Sequence, residues 1–216
     1  MPEPSSAPTE SDLPLPAGTS ILSRPHSAQL FFVYPGLRRA LNGKNPMFLL
    51  HSGLAERNLA FLRDPLVQFF EGGLDDNYPS FDAVLHWHRR YAASLPQLSE
   101  VYCVGNSSGG FSALEMGHHL KVNAVFAFCP RGPGRGPRLR QLLSEWNGRT
   151  EFHIHYSPHN QKDTEFAEAL ADTPHLTLHP SDPKHNDDHK IMSQMARRGD
   201  LAAVFPPQKT VDAPAG

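Results

Sequence analysis

Six short runs of almost unbroken apolar character recur along the chain, each followed by a longer stretch of mixed polarity. They are Leu30 to Tyr34, Leu59 to Leu62, Val101 to Gly105, Ala124 to Phe128, Phe152 to Tyr156 and Leu176 to His179. No other feature narrows the fold as much. Short runs rich in Val and aromatic residues, without polar alternation, suit strands covered on both faces. Between them, Phe81, Val84, Leu85, Trp87, Tyr91 and Leu95 keep a helical period and predict a helix from about Ser80 to Leu95. Phe166, Ala169 and Leu170, and then Ile191, Met192 and Met195, predict two shorter helices. Strand–helix alternation of this kind implies an α/β domain: a mainly parallel central sheet of about six strands with helices on both faces. Binding residues in such sheets gather outside the carboxyl ends of the strands.

A chain of 216 residues fits one such domain. Residues 1–26 are rich in Pro, Ser and Ala without a hydrophobic period and are expected to be a disordered tail, as are residues 206–216, leaving a domain over 27–205. The first residues lack the basic and apolar segments of a secretory signal. No apolar run approaches the roughly 18 to 20 residues that span a bilayer. A formal net charge of −2 offers no basic footprint for nucleic acid or an anionic membrane. Cys103 and Cys129 both fall in or beside apolar runs, where they read as small buried hydrophobes, and a reduced, cytoplasmic compartment is expected.

The most informative local feature is the turn after the third run. Gly105-Asn106-Ser107-Ser108-Gly109 is a G-x-S-x-G sequence set between a predicted strand and a predicted helix. Small residues two before and two after the serine allow a tight strand-to-helix turn that lifts the hydroxyl clear of the sheet. Ser107 is the serine in register; Ser108 has Asn106 and Gly110 at its flanks and fits less well. A plain strand–helix connection would use the same letters. From Gly105 to Ser112 the sequence also stands one residue away from a phosphate-binding loop, but Phe111 occupies the place of the required lysine.

A serine hydroxyl needs a base, normally a histidine oriented by a carboxylate, and in this strand–turn–helix setting the order is Ser, then Asp or Glu, then His. Asp163 follows the fifth run, and His179, His185 and His189 follow or close the sixth. His189 directly precedes a helical segment and is the candidate base, with His185 in reserve.

On GNSSGGFSAL, on a strand followed by Asp163, and on His189 opening the last helix, the chain from about Ala28 to Phe205 resembles a compact α/β-hydrolase stripped of its first strands. The resemblance implies Ser107 as nucleophile, His189 as general base and Asp163 as orienting acid. The backbone N–H of Ser108 would form half of an oxyanion hole. Leu37, after Pro35-Gly36, would supply the other half. It implies a serine esterase or thioesterase working through an acyl-enzyme, without cofactor or metal, on a small-molecule acyl substrate that is free or linked to a carrier or coenzyme A. An acyltransferase using the same triad and a non-catalytic binding protein of this fold are the alternatives.

Other residues offer contacts of lesser weight. Arg63, Asn106 and Arg131 lie close to the expected strand ends and are candidate substrate contacts, with an Arg63–Asp64 ion pair as the plainer reading of the first. Residues 131–148 carry Arg131, Arg135, Arg138 and Arg140 among glycines and prolines, and are expected to form a mobile basic loop. Phe69 to Tyr78 reads as a loop that lines an acyl pocket. His153 and His155 share one face of a strand, within reach of a single ion, although strand histidines more often serve packing.

Overall fold

The computed structural model describes residues 13–36, 51–182 and 190–211. Its centre is a seven-stranded sheet: β1 (Ser20–Leu22), β2 (Gln29–Tyr34), β3 (Asn58–Phe61), β4 (Glu100–Asn106), β5 (Ala124–Phe128), β6 (Glu151–Tyr156) and β7 (Leu176–Pro180), in the order β1-β3-β2-β4-β5-β6-β7. All pairs are parallel except β1 with β3. Every residue of β2, β3 and β5 is buried, which is what their unbroken apolar runs require.

Side chains alternate across the sheet. Leu30, Phe32 and Tyr34 of β2 face one apolar layer with Val125 and Ala127 of β5, while Phe31 and Val33 face the other with Phe126 and Phe128. The first layer is filled by α1 (Phe81–Ala93), α2 (Ser108–Leu120), α3 (Gly136–Ser144) and α4 (Gln161–Glu168). The second takes Met192 and Ala196 of α5 (Ile191–Arg198) and Leu201 of a following 3-10 turn, with Phe205 just beyond it. Helix α1 begins where the sequence places it: Ser80 caps it by accepting from the Ala83 amide, and Val84, Leu85, Trp87, His88 and Tyr91 are buried.

Three segments differ from their sequence reading. Strand β1 lies inside residues 1–26, which composition assigns to a tail; its three residues pair Ser20 with Phe61 and Leu22 with Leu59 at the sheet edge. Three residues are too few to show a period, so composition alone hides them. Residues 206–211, assigned to the other tail, return along the base of β2. The Ala28 amide donates to Lys209 O and the Val211 amide to His26 O, both at 3.0 Å, and Lys209 pairs with Glu100. The expected basic loop contains α3, with proline in its first turn and Leu139 and Leu143 buried one turn apart. Among the described residues no helix is long and apolar enough to cross a membrane.

Candidate active site

Strand β4 ends at Asn106 and α2 begins at Ser108, so the whole change of direction falls on Ser107. Its backbone sits at φ 57°, ψ −124°, a region that a non-glycine residue occupies at about 1–3 kcal/mol of strain. Three hydrogen bonds hold it there. The Ser107 amide donates to Phe128 O at 2.9 Å, and its carbonyl accepts from the amides of Arg131 at 3.0 Å and Phe111 at 3.2 Å. The flanking glycines are required by contact rather than by conformation. A Cβ on Gly105 would lie 2.1 Å from Gly109 O, and one on Gly109 would lie 2.0 Å from Tyr34 O. The segment after β2 crosses the same point: a Cβ on Gly36 would stand 2.8 Å from Asn106 O and 3.1 Å from Ser107 Cβ.

This geometry places Ser107 at the carboxyl edge of the sheet, at the mouth of a 13-residue helix whose first amides have no partner within the helix. Ser108, Gly109 and Ser112 of that helix form one wall of a cleft; Tyr34, Pro35 and Gly36 form another. Opposite them, residues 62–70 close the cleft with Leu62, Val67, Phe69 and Phe70; of the loop Phe69 to Tyr78, expected to line an acyl pocket, Phe69 and Phe70 reach it. Val67, Phe69 and Phe70 all have positive φ, 54°, 58° and 65°. Asp64 fixes this backbone by accepting from the Leu66 and Phe70 amides, each at 3.0 Å. No ion pair joins Arg63 to Asp64 among the described residues, and Arg63 is exposed at the cleft rim.

Asp163 opens α4, where the Asn160 side chain caps the helix by accepting from the Asp163 amide. The carboxylate is buried, and Arg131 supplies its charge partner: Nε and Nη2 both donate to Oδ1, at 2.9 and 2.8 Å, while Nη2 also reaches Asn160 Oδ1 at 3.1 Å. Arg131, a candidate substrate contact in the sequence, thus has its guanidinium turned to Asp163 and its amide on Ser107. Cys129 stands beside them at φ 44°, fully buried. Burial first, and then the Asp163 carboxylate that its thiol meets, push its pKa well above the ordinary range. The Ile191 amide also points at this sulfur.

Ser107, Ser108, Gly36, Arg131 and Asp163 are gathered at one sheet edge. Asn106 ends β4 with its Oδ1 buried and without a hydrogen-bond partner among the described residues. The candidate base His189, its reserve His185, and Leu37, the second oxyanion donor, lie outside the described residues. What the sequence did not reveal is the use of Arg131. Its partner is 32 positions away, and only the Asn-x-x-Asp cap at Asn160 hinted at how Asp163 would be oriented.

The histidines of β6 and β7 share a face further along the sheet. His153 Nδ1 meets His179 Nε2 at 3.1 Å, and His155 stacks on both Phe128 and His179. Burial first and neighbouring imidazoles second lower the His155 pKa to about 3. Parallel stacked rings aim their nitrogens side by side rather than at one point, and among the described residues no cluster of three or more ligating side chains is arranged to hold a metal ion. Under the other face, His88 is buried between the Val84 carbonyl on Nδ1 and the Tyr34 hydroxyl on Nε2, at 2.7 and 2.9 Å. Burial lowers its pKa to about 4, so it stays neutral and steadies the end of β2 from which Pro35-Gly36 departs.

No family model matches the chain, and no curated protein matches it in sequence. Solved structures do match in fold. A lipase-esterase related protein from Clostridium acetobutylicum superposes at a TM-score of 0.57 with 11% identity, over 83% of this chain and 96% of that one. An α/β serine hydrolase homologue from Coxiella burnetii gives 0.53 with 12% identity, over 90% and 100%. Est1E from Butyrivibrio proteoclasticus, solved with ferulic acid bound, gives 0.53 with 12% identity, over 87% and 94%. At such identities the likeness is one of fold.

Proposed function

On the premise that this chain has the α/β-hydrolase fold, we propose that it is a serine hydrolase that cleaves an ester or thioester through an acyl-enzyme formed on Ser107. The observation that carries this reading is the Ser107 backbone: a left-handed, strained serine between glycines that tolerate no Cβ, at the carboxyl edge of a parallel sheet. Strain of this kind persists where surrounding contacts fix it, and it exposes a hydroxyl in a way that an ordinary strand–helix turn does not require.

In this reading Ser107 Oγ attacks the carbonyl carbon while its proton passes to the imidazole of His189. The proton then goes to the departing alcohol or thiol. Water repeats the sequence on the acyl-enzyme, giving up a proton to the same imidazole and releasing the acid. The Ser108 amide, at the positive end of α2, stabilises the oxyanion, with the Leu37 amide as second donor. Asp163 holds the imidazole, and Arg131 holds Asp163. Support for His189 comes from its order in the chain, after Ser107 and Asp163 and just before α5. The relatives named as esterase and serine hydrolase support the chemical class.

Labelling with a fluorophosphonate probe, followed by peptide mapping, tests the proposal. The tag is expected on the peptide carrying Ser107, and Ser107→Ala is expected to lose both the tag and turnover of p-nitrophenyl esters. Turnover and labelling that survive this substitution would overturn the assignment.

A further inference from the structure

The cleft beside Ser107 is nearly closed. Its cavity volume is about 30 Å³, room for a water or two, and Leu62, Val67, Phe69 and Phe70 share its walls with the polar Asp64 and Ser108. What closes it is residues 64–73, and that strap is fastened at both ends. Asp64 holds one end through the Leu66 and Phe70 amides. At the other, the Glu71 carboxylate bridges Arg135 and Arg138 of and beside α3, with Arg135 Nη2 on Glu71 Oε2 at 2.8 Å. Arg138 continues to the buried Glu115 at 3.2 Å, and the Arg135 guanidinium lies 4.8 Å over the Phe69 ring. Phe69 in turn packs edge-on against Phe111, and Phe70 against Tyr34, so two of the three rings that line the cleft belong to the strap.

We infer that residues 64–73 gate the acyl pocket and that the Glu71 bridge to Arg135 and Arg138 is the latch that restricts the enzyme to small acyl groups. This rests on Ser107 being the nucleophile of the proposed reaction. A small acyl group enters by displacing water and turning one ring. A long chain must displace Phe69 and Phe70 together, and these cannot leave while Glu71 is tied to α3. The latch is made of solvent-accessible charges, so salt weakens it, whereas the packing of Phe69 on Phe111 carries no charge for salt to screen.

The test compares full-length wild type with Glu71→Gln on p-nitrophenyl acetate and octanoate, together with hydrogen exchange of the peptide spanning residues 65–72. Wild type is expected to favour acetate in kcat/KM. In the variant the octanoate-to-acetate ratio is expected to rise about three- to fivefold, the scale of an exposed ion-pair network, with faster exchange in the strap. About 1 M NaCl, where screening acts within about 3 Å, is expected to move wild type the same way and to leave the variant unmoved. An unchanged ratio with Ser107 still labelled, or strap exchange that responds to neither substitution nor salt, overturns the gate. Failure of Ser107 to label in wild type would instead strike the hydrolase reading, and strap exchange would still judge the gate. Should the variant fold poorly, the salt response of wild type decides alone.

Discussion

Arg131 joins the turn at Ser107 to the buried carboxylate of Asp163: its amide donates to the Ser107 carbonyl at 3.0 Å, and its guanidinium grips Asp163 Oδ1 from two nitrogens. Asp163 is 1% exposed, so its charge relies on this partner. Arg131→Gln is expected to lower unfolding stability by about 2–4 kcal/mol, the scale of uncovering a buried charge. It should also reduce kcat by about ten- to a hundredfold with little change in KM, because Asp163 loses its fixed position. Arg131→Lys should recover part of the stability and little of kcat, since one ammonium cannot span both Asp163 and Asn160 as the planar fork does. Urea midpoints and steady-state kinetics on the two variants check this.

Adjacent glycines should behave differently. Gly109→Ala places its methyl group 2.0 Å from Tyr34 O, a backbone atom that cannot swing aside, whereas at Gly110 the nearest atoms stand 3.2 Å away on Pro130. Gly109→Ala is expected to cost about 3 kcal/mol or more, or to prevent folding, and to abolish activity. Gly110→Ala is expected to stay within about 1 kcal/mol and to be active, because alanine favours the helix. Soluble yield and thermal unfolding of the pair provide the measurement.

Acid should destabilise the protein through two histidines in separate layers. His88 and His155 have folded pKa values lowered to about 4 and about 3, against an ordinary value of 6.5. As pH falls, the unfolded chain takes up these protons first. Their contribution is complete above about 6.5 and is lost as pH falls from there towards 4, at up to about 1.4 kcal/mol per pH unit for each histidine. His155→Phe, which keeps a ring between Phe128 and His179, should flatten that slope. Urea titrations between pH 8 and pH 4 on both proteins give the comparison.

The central strands were readable from sequence because burial on both faces leaves no room for polar residues: Leu30 to Tyr34 and Ala124 to Phe128 sit in β2 and β5 as their runs require. Strand β1 escaped because an edge strand of three residues needs neither a run nor a period, only the pairing of Ile21 with Ala60. Helix α3 escaped because its prolines and glycines lie at its start, where proline does not interrupt helical hydrogen bonds. The turn at Ser107 was readable because the demand for small residues is local. The Arg131–Asp163 and Glu71–Arg135 pairings were not, since each joins residues brought together only by the folded sheet edge.

The returning segment 206–211 bears on how this molecule can be handled. It is stitched to the feet of β2 and β4 by Lys209, Val211 and the Pro207 carbonyl, which accepts from Gln29. The tips of those same two strands lead into Gly36 and Ser107. A protein clipped after Phe205 would unpick the lower seam of both. The exposed turn at Gly148, at φ 81° with open space around it, is a safer place for an inserted epitope or dye.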